Sequence, residues 1–147
     1  MNMSAPILLL IGLSAFSVAA QEAAKPAQNP PPAEYKIPDP AKKQANPIKS
    51  SPDSIAEGKK QYGTECTMCH GANGDGKGDL AVDMKLSLAD FRDPATLKDL
   101  TDGEIYYIIK NGKGDMPAEG DRLKPAETWE IVNYIRSLAK KESSAAK

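Results

Sequence analysis

The chain contains two cysteines and one histidine, and all three stand together in the sequence Cys66-Thr67-Met68-Cys69-His70. If these residues form a helical turn, both thiols and the imidazole share one face of it, because residues three and four apart are neighbours on a helix. The spacing C-x-x-C-H is typical of covalent haem attachment. The motif therefore predicts thioethers from Cys66 and Cys69 to one haem, and coordination of its iron by His70.

Three other chemistries also use neighbouring cysteines. A structural zinc site needs four protein ligands, and two cysteines with one histidine are too few. A thioredoxin-like redox pair needs a strand-helix-strand setting, which the surrounding sequence does not predict. A plain disulfide between Cys66 and Cys69 is the remaining alternative in an oxidising compartment, although closing so small a loop gains little stability. Haem attachment is the preferred interpretation.

The second axial ligand of the iron must be a different residue type, because His70 is the only histidine. Methionine is the next candidate, and two of the five methionines lie in the first three residues. Met68 is held between the two cysteines, which leaves Met84 and Met116. Pro117 biases Met116 toward an extended conformation that suits a loop lying across a haem, whereas Met84 lies in a polar stretch without such a feature. Met116 is therefore the predicted second ligand.

The N-terminal part of the chain predicts a leader and a linker. Residues 1–20 carry no charged side chain. They end in a short apolar run whose last residues, Val18, Ala19 and Ala20, are small. This pattern is typical of a secretory signal cleaved after Ala20, and the run is shorter than the roughly 20 apolar residues of a membrane span. Residues 21–53 are rich in proline and poor in large apolar side chains, which predicts a disordered linker. We expect a periplasmic or secreted protein, with tethering by an uncleaved N-terminus as the alternative.

Two helices are predicted from their capping residues. Ser51 can cap a helix over residues 52–63, whose first residue is a proline that needs no N–H partner. Thr101 and Glu104 form a capping box for a second helix over residues 102–110.

The C-terminal part of the sequence predicts a third helix. After Pro125, apolar residues recur at intervals of three and four as far as Leu138, which indicates one apolar stripe. No segment shows the alternation typical of strands. The predicted folded domain, residues 54–139, is therefore all-α: a small bundle of three to five short helices with long loops wrapped around a covalently bound haem. Residues 140–147 are expected to form a disordered tail.

From about residue 51 to residue 138 the chain resembles class I cytochrome c, the small monohaem type. The resemblance rests on three motifs in the order of that family: Cys66-Thr67-Met68-Cys69-His70-Gly71, Gly114-Asp115-Met116-Pro117 and Val132-Asn133-Tyr134-Ile135-Arg136-Ser137-Leu138. It implies that the first and last helices cross in close contact, at Gly58 and Tyr134. The family often has a proline near the carbonyl that holds the ligand histidine, and residues 86–91 contain none. The hydrogen-bond partner of His70 is therefore left open.

Ligation by histidine and methionine saturates the iron and raises its potential, which favours one-electron transfer over catalysis. We expect a carrier without enzymatic activity that passes electrons between a dehydrogenase or membrane respiratory complex and a terminal acceptor. The alternative is a haem c subunit or module of a specific oxidoreductase complex. A haem-based sensor or peroxidase-like enzyme would require Met116 to be absent from the iron or easily displaced from it.

Charge and composition limit the partners further. Lys and Arg number 19 against 20 Asp and Glu, so the chain lacks the basic excess of nucleic-acid-binding proteins. We therefore expect redox proteins as partners, no nucleic acid, no stable membrane insertion after signal cleavage, and a monomer.

Overall fold

The computed structural model describes residues 35–145, with side chains as far as residue 139. In this part the chain forms helices and no strand, so the predicted all-α class is confirmed. The helices are α1 (Asp39–Lys42), α2 (Pro52–Glu65), α3 (Thr67–His70), α4 (Asp79–Asp83), α5 (Pro94–Leu97), α6 (Asp102–Asn111) and α7 (Pro125–Ala145). The sequence predicts α2, α6 and α7, and the structure adds four helices of four or five residues each.

The predicted leader, residues 1–20, lies outside the described residues, as do residues 21–34 of the predicted linker. Within residues 35–145, no helix is both long enough and apolar enough to cross a membrane.

Capping boxes begin both α2 and α6. The Ser54 N–H donates to the Ser51 hydroxyl at 3.2 Å, and the Ser51 N–H donates to the Ser54 hydroxyl at 3.0 Å. Thr101 and Glu104 form the same pair of hydrogen bonds at 3.2 and 2.8 Å. Each box satisfies N–H groups that would otherwise have no partner in the first helical turn. The sequence therefore predicts both helix starts correctly.

Helices α2 and α7 cross in close contact at Gly58. A Cβ atom on Gly58 would lie 1.9 Å from the carbonyl oxygen of Glu130 in α7, so the two backbones can approach this closely only where α2 has a glycine. One turn further along α2, the ring of Tyr62 packs edge to face against Tyr134, with centroids 5.0 Å apart. The crossing implied by the resemblance is thus present, and Tyr134 contributes to it through Tyr62.

The hydrophobic core lies between α2, α6 and α7. Ile131 and Val132 of α7 have no exposed surface, and Tyr106 of α6 stacks on Trp129 of α7 with ring centroids 4.1 Å apart. Partly buried apolar side chains surround this core: Ile48, Ile55, Cys66, Phe91, Leu100 and Met116. Cys66 and Met116, two of the predicted site residues, therefore lie at the edge of the core.

Arg136 of α7 fastens the segment between α5 and α6. Its guanidinium donates to the carbonyl of Leu97 at 2.8 Å, to the carbonyl of Leu100, and to the carboxylate of Asp102 at 2.8 Å. Hydrogen bonds from a charged donor are stronger than those from a neutral one. This side chain therefore links α7 to the end of α5, to the segment that follows it and to the start of α6. Helix α7 continues beyond residue 139, and residues 140–145 are helical where the sequence predicts a tail.

The linker prediction is wrong for residues 35–51, which pack against the helices. The Asn46 amide donates to the carbonyl of Trp129 at 3.2 Å and to Oδ1 of Asn133 at 3.0 Å, and Asn133 donates to the carbonyl of Ile48 at 3.1 Å. Polar side chains that bond to backbone carbonyls thus hold the segment. Its shortage of large apolar residues does not prevent it from packing.

Replacement of Gly58 by alanine should lower the free energy of unfolding by about 1–3 kcal/mol, the usual effect of overpacking. Gly63→Ala in the same helix is the matched control, because nothing lies within 4 Å of a Cβ there. Alanine in a helix interior should stabilise by about 0.5–1 kcal/mol relative to glycine. Urea denaturation followed by circular dichroism measures both variants. Equal midpoints for the two variants would contradict the close crossing.

Candidate functional site

Cys66, Cys69 and His70 lie on one short helical turn at the end of α2. Cys66 follows α2 directly, and α3 begins at the next residue. The His70 N–H donates to the carbonyl of Cys66 at 2.9 Å, which is the bond between residues four apart in an α-helix. The helical turn on which the interpretation of the motif depends is therefore present. It places two free, half-buried thiols and an imidazole at neighbouring positions on one face.

The Cys66 thiol packs against the core, and its surroundings keep it protonated. Burial raises its pKa from 9.0 to about 12, with a further contribution from the negative charges of Glu119 and Glu65. Disulfide formation begins with attack by a thiolate, which a raised pKa makes scarce at neutral pH. Cys66 is therefore a poor attacking group for a disulfide, and both thiols are free in the structure.

The imidazole of His70 lies against the ring of Phe91, with centroids 4.9 Å apart and planes 25° from parallel. Burial lowers the pKa of His70 below its ordinary value, which favours the neutral ring, the form that binds metals. Nδ1 is buried, and no described residue hydrogen-bonds to it. The sequence did not identify a hydrogen-bond partner for this imidazole. Among the described residues the structure shows no partner for Nδ1, and it places the ring of Phe91 against the imidazole.

A glycine loop after α3 brings Phe91 to His70. The Phe91 N–H donates to the carbonyl of Gly74 at 2.7 Å, and the Gly76 N–H donates to the carbonyl of His70 at 2.9 Å. Gly76 has φ +72°, and a Cβ atom there would lie 2.8 Å from the carbonyl oxygen of Leu88. Glycine is needed here for both reasons. Sequence reasoning missed Phe91, because no local pattern links it to the attachment turn.

Tyr62 connects the helix crossing to the attachment turn. Its hydroxyl donates to the carbonyl of Gly71 at 3.0 Å, and Gly71 is the residue that follows His70. Tyr62 is 1% exposed, and burial raises its pKa, so the hydroxyl keeps the proton that it donates. One side chain thus takes part in the α2–α7 crossing and also holds the end of α3.

Met116 lies in the segment between α6 and α7, residues 112–124, which we call the Met116 loop. Met116 and Lys113 exchange two backbone hydrogen bonds of 3.1 Å, and the Met116 side chain is half-buried against the core. Met84 is 54% exposed at the C-terminal end of α4. A buried thioether is better protected from water than an exposed one. Burial therefore favours Met116 over Met84 as a ligand.

These residues fit a haem better than a bare metal ion. In the part of the chain that the structure describes, no three His, Cys, Asp or Glu side chains cluster closely enough to hold an ion. Two free thiols on one turn, a neutral imidazole and a half-buried thioether are instead the donors that attach and ligate haem c. The residues present therefore fit this cofactor.

Sequence comparison with known proteins leads to the same chemistry. Residues 53–135 match the family described as cytochrome c oxidase, cbb3-type, subunit III. The chain is 34% identical over 86 residues to cytochrome c6 of Cladophora glomerata, a match that covers 58% of this chain and 89% of that protein. It is also 34% identical over 116 residues to quinohemoprotein alcohol dehydrogenase ADH IIB of Pseudomonas putida, which covers 76% of this chain but 15% of the dehydrogenase.

Structural comparison adds a relative that is part of an assembly. A chain of the reducing HAO-like protein complex of Kuenenia stuttgartiensis superposes with a TM-score of 0.54 at 27% sequence identity. The match covers 63% of this chain and 46% of that one. This chain therefore spans most of the algal cytochrome, less than half of the HAO-like chain and a small part of the dehydrogenase.

Proposed function

The chain belongs to the cytochrome c family, whose members bind haem c covalently, and on this premise we propose that it is an exported carrier of single electrons. The observation that carries the proposal is the helical turn on which Cys66, Cys69 and a half-buried His70, whose lowered pKa favours the neutral ring, stand together. The half-buried Met116 provides the fourth donor. Among the described residues, these are the groups suited to attach and ligate one haem.

Each of the four residues has a distinct part in the proposal. Cys66 and Cys69 would attach the haem through two thioethers, and His70 and Met116 would ligate its iron. Burial of His70 keeps its ring neutral and able to ligate, while the Phe91 contact restricts how the ring can turn. Bound haem c supplies a centre that accepts and releases one electron. A thioether ligand from Met116 would leave the iron no site for substrate and would raise its potential, which suits electron transfer rather than catalysis.

A second candidate function is that the domain is the haem c module of a larger oxidoreductase. It is supported by the similarity to part of a quinohemoprotein alcohol dehydrogenase and to a chain of an HAO-like complex. Isolation as a lone, soluble monomer would favour the carrier. Copurification with a dehydrogenase or membrane respiratory complex in fixed stoichiometry would favour the module.

Covalent attachment and export can be tested together by intact mass. Protein produced in cells with haem-attachment machinery should have the mass of residues 21–147 plus one haem. Acid-acetone should extract no haem, because thioethers are covalent bonds. Complete extraction would contradict the roles of Cys66 and Cys69. A mass that includes residues 1–20 would favour the uncleaved tether.

Substitution of Met116 by alanine should remove the weak far-red absorption band that marks methionine sulfur on ferric iron. The midpoint potential should fall by on the order of 0.1 V, since axial ligands set haem potentials over a span of about 0.8 V. Met84→Ala is the matched control and should leave band and potential unchanged. Loss of the band in Met84→Ala, with the band retained in Met116→Ala, would reverse the assignment.

A further inference from the structure

A pair of ion contacts joins the Met116 loop to the haem-attachment segment. Nη2 of Arg122 donates to Oε2 of Glu65 at 2.5 Å and lies 2.7 Å from Oε2 of Glu119, a buried atom that accepts no hydrogen bond from the described residues. Glu65 is the last residue of α2 and directly precedes Cys66. Glu119 and Arg122 both follow Met116 in the loop. One guanidinium therefore connects the two segments that carry the proposed axial ligands, and we call this contact the Arg122 bridge.

The side chains of the Arg122 bridge differ in exposure. The Glu119 side chain is 5% exposed and that of Glu65 is 22% exposed, whereas Arg122 is 58% exposed. A buried carboxylate that has lost its hydration is strongly destabilised when its cation is removed. Of the described residues, Arg122 is the cation in contact with Glu119. The placement of this part of the loop therefore depends on Arg122.

Backbone hydrogen bonds hold the loop to a different helix. The Glu119 N–H donates to the carbonyl of Ile109 at 3.0 Å, and the Gly120 N–H donates to the carbonyl of Lys110 at 3.1 Å. Both acceptors are in the last turns of α6. These bonds fix the loop relative to α6, whereas the Arg122 bridge fixes it relative to the end of α2. The attachment turn follows that end directly.

We propose that Arg122 is a positioning residue that keeps Met116 on the haem iron. The inference rests on the proposed ligation by His70 and Met116. Without the guanidinium, the carboxylates of Glu119 and Glu65 lose their shared cation and repel each other. The loop then loses this link to α2, so its hydrogen bonds to α6 open more often and Met116 leaves the iron more often. Arg122 is therefore proposed to act on Met116 through the position of the loop that carries both residues.

The pH at which the far-red band of the ferric protein disappears measures how firmly Met116 is held. Rising pH supplies competing ligands, so a loop that opens more readily loses its methionine at a lower pH. Arg122→Gln should lower this midpoint by about one pH unit, which corresponds to about a tenfold change in the equilibrium between bound and displaced methionine. A midpoint equal to that of the unaltered protein would overturn the proposal.

Two further variants separate the bridge from general effects of charge. Glu65→Gln leaves Glu119 paired with Arg122 and removes only the link to α2, so it should also lower the midpoint, by less than Arg122→Gln. Lys124→Gln removes a positive charge from the same loop, where its ammonium is 3.7 Å from Glu127 and 83% exposed. It should leave the midpoint unchanged. A shift of equal size in Lys124→Gln would overturn the proposal, because net charge would then explain the effect.

Amide hydrogen exchange tests the position of the loop without reference to the iron. Exchange of the Glu119 and Gly120 amides should be about tenfold faster in Arg122→Gln than in Lys124→Gln, while the Val132 amide in α7 stays equally protected. If the unaltered protein showed no far-red band, the Met116 assignment would fail. In that case unchanged exchange in Arg122→Gln would also overturn the positioning of the loop by Arg122, whereas faster exchange would support that positioning alone.

Discussion

The close approach of α2 and α7 at Gly58 positions the turn that carries both cysteines. A side chain at Gly58 would overlap the carbonyl of Glu130, so the two backbones meet only because α2 lacks one there. The crossing buries Tyr62 against Tyr134, and the Tyr62 hydroxyl holds the carbonyl of Gly71. The end of α2 and the turn that carries both cysteines are thereby fixed to the longest helix. The position of the two thiols therefore depends on the close backbone packing at Gly58, in the helix that precedes them.

Local chemistry explains what the sequence predicts well. Side chains such as Ser51 and Thr101 satisfy N–H groups within three residues of themselves, so the starts of α2 and α6 can be predicted without any tertiary contact. The helical turn at Cys66 likewise depends on residues that are neighbours in sequence. Met116 was predicted as the second iron ligand because Pro117 follows it and because few other methionines remained as candidates. The burial of Met116 and the exposure of Met84 agree with that choice.

Contacts between distant segments explain what the sequence did not predict. Asn46 holds residues 35–51 through the backbone carbonyl of Trp129 and the side-chain oxygen of Asn133, both in α7. Composition alone cannot distinguish such a segment from a free linker. Phe91 reaches His70 only because a glycine loop folds back on the attachment turn. Arg122 joins two acidic residues that lie far apart in the chain. No periodic pattern in the sequence indicates these contacts. Each joins residues that become neighbours only in the folded chain.

We propose that His70 of the attachment turn and Met116 of the Met116 loop together hold one haem. Proton NMR of the reduced protein, with methionine methyl groups labelled, tests it most directly. A methionine on the iron lies within the ring current of the haem, which moves its methyl signal far upfield. Ligation by Met116 predicts one such signal, assigned to Met116, with Met68 and Met84 in the ordinary methyl region. An upfield signal from Met84, or no upfield methionine signal, would contradict the claim.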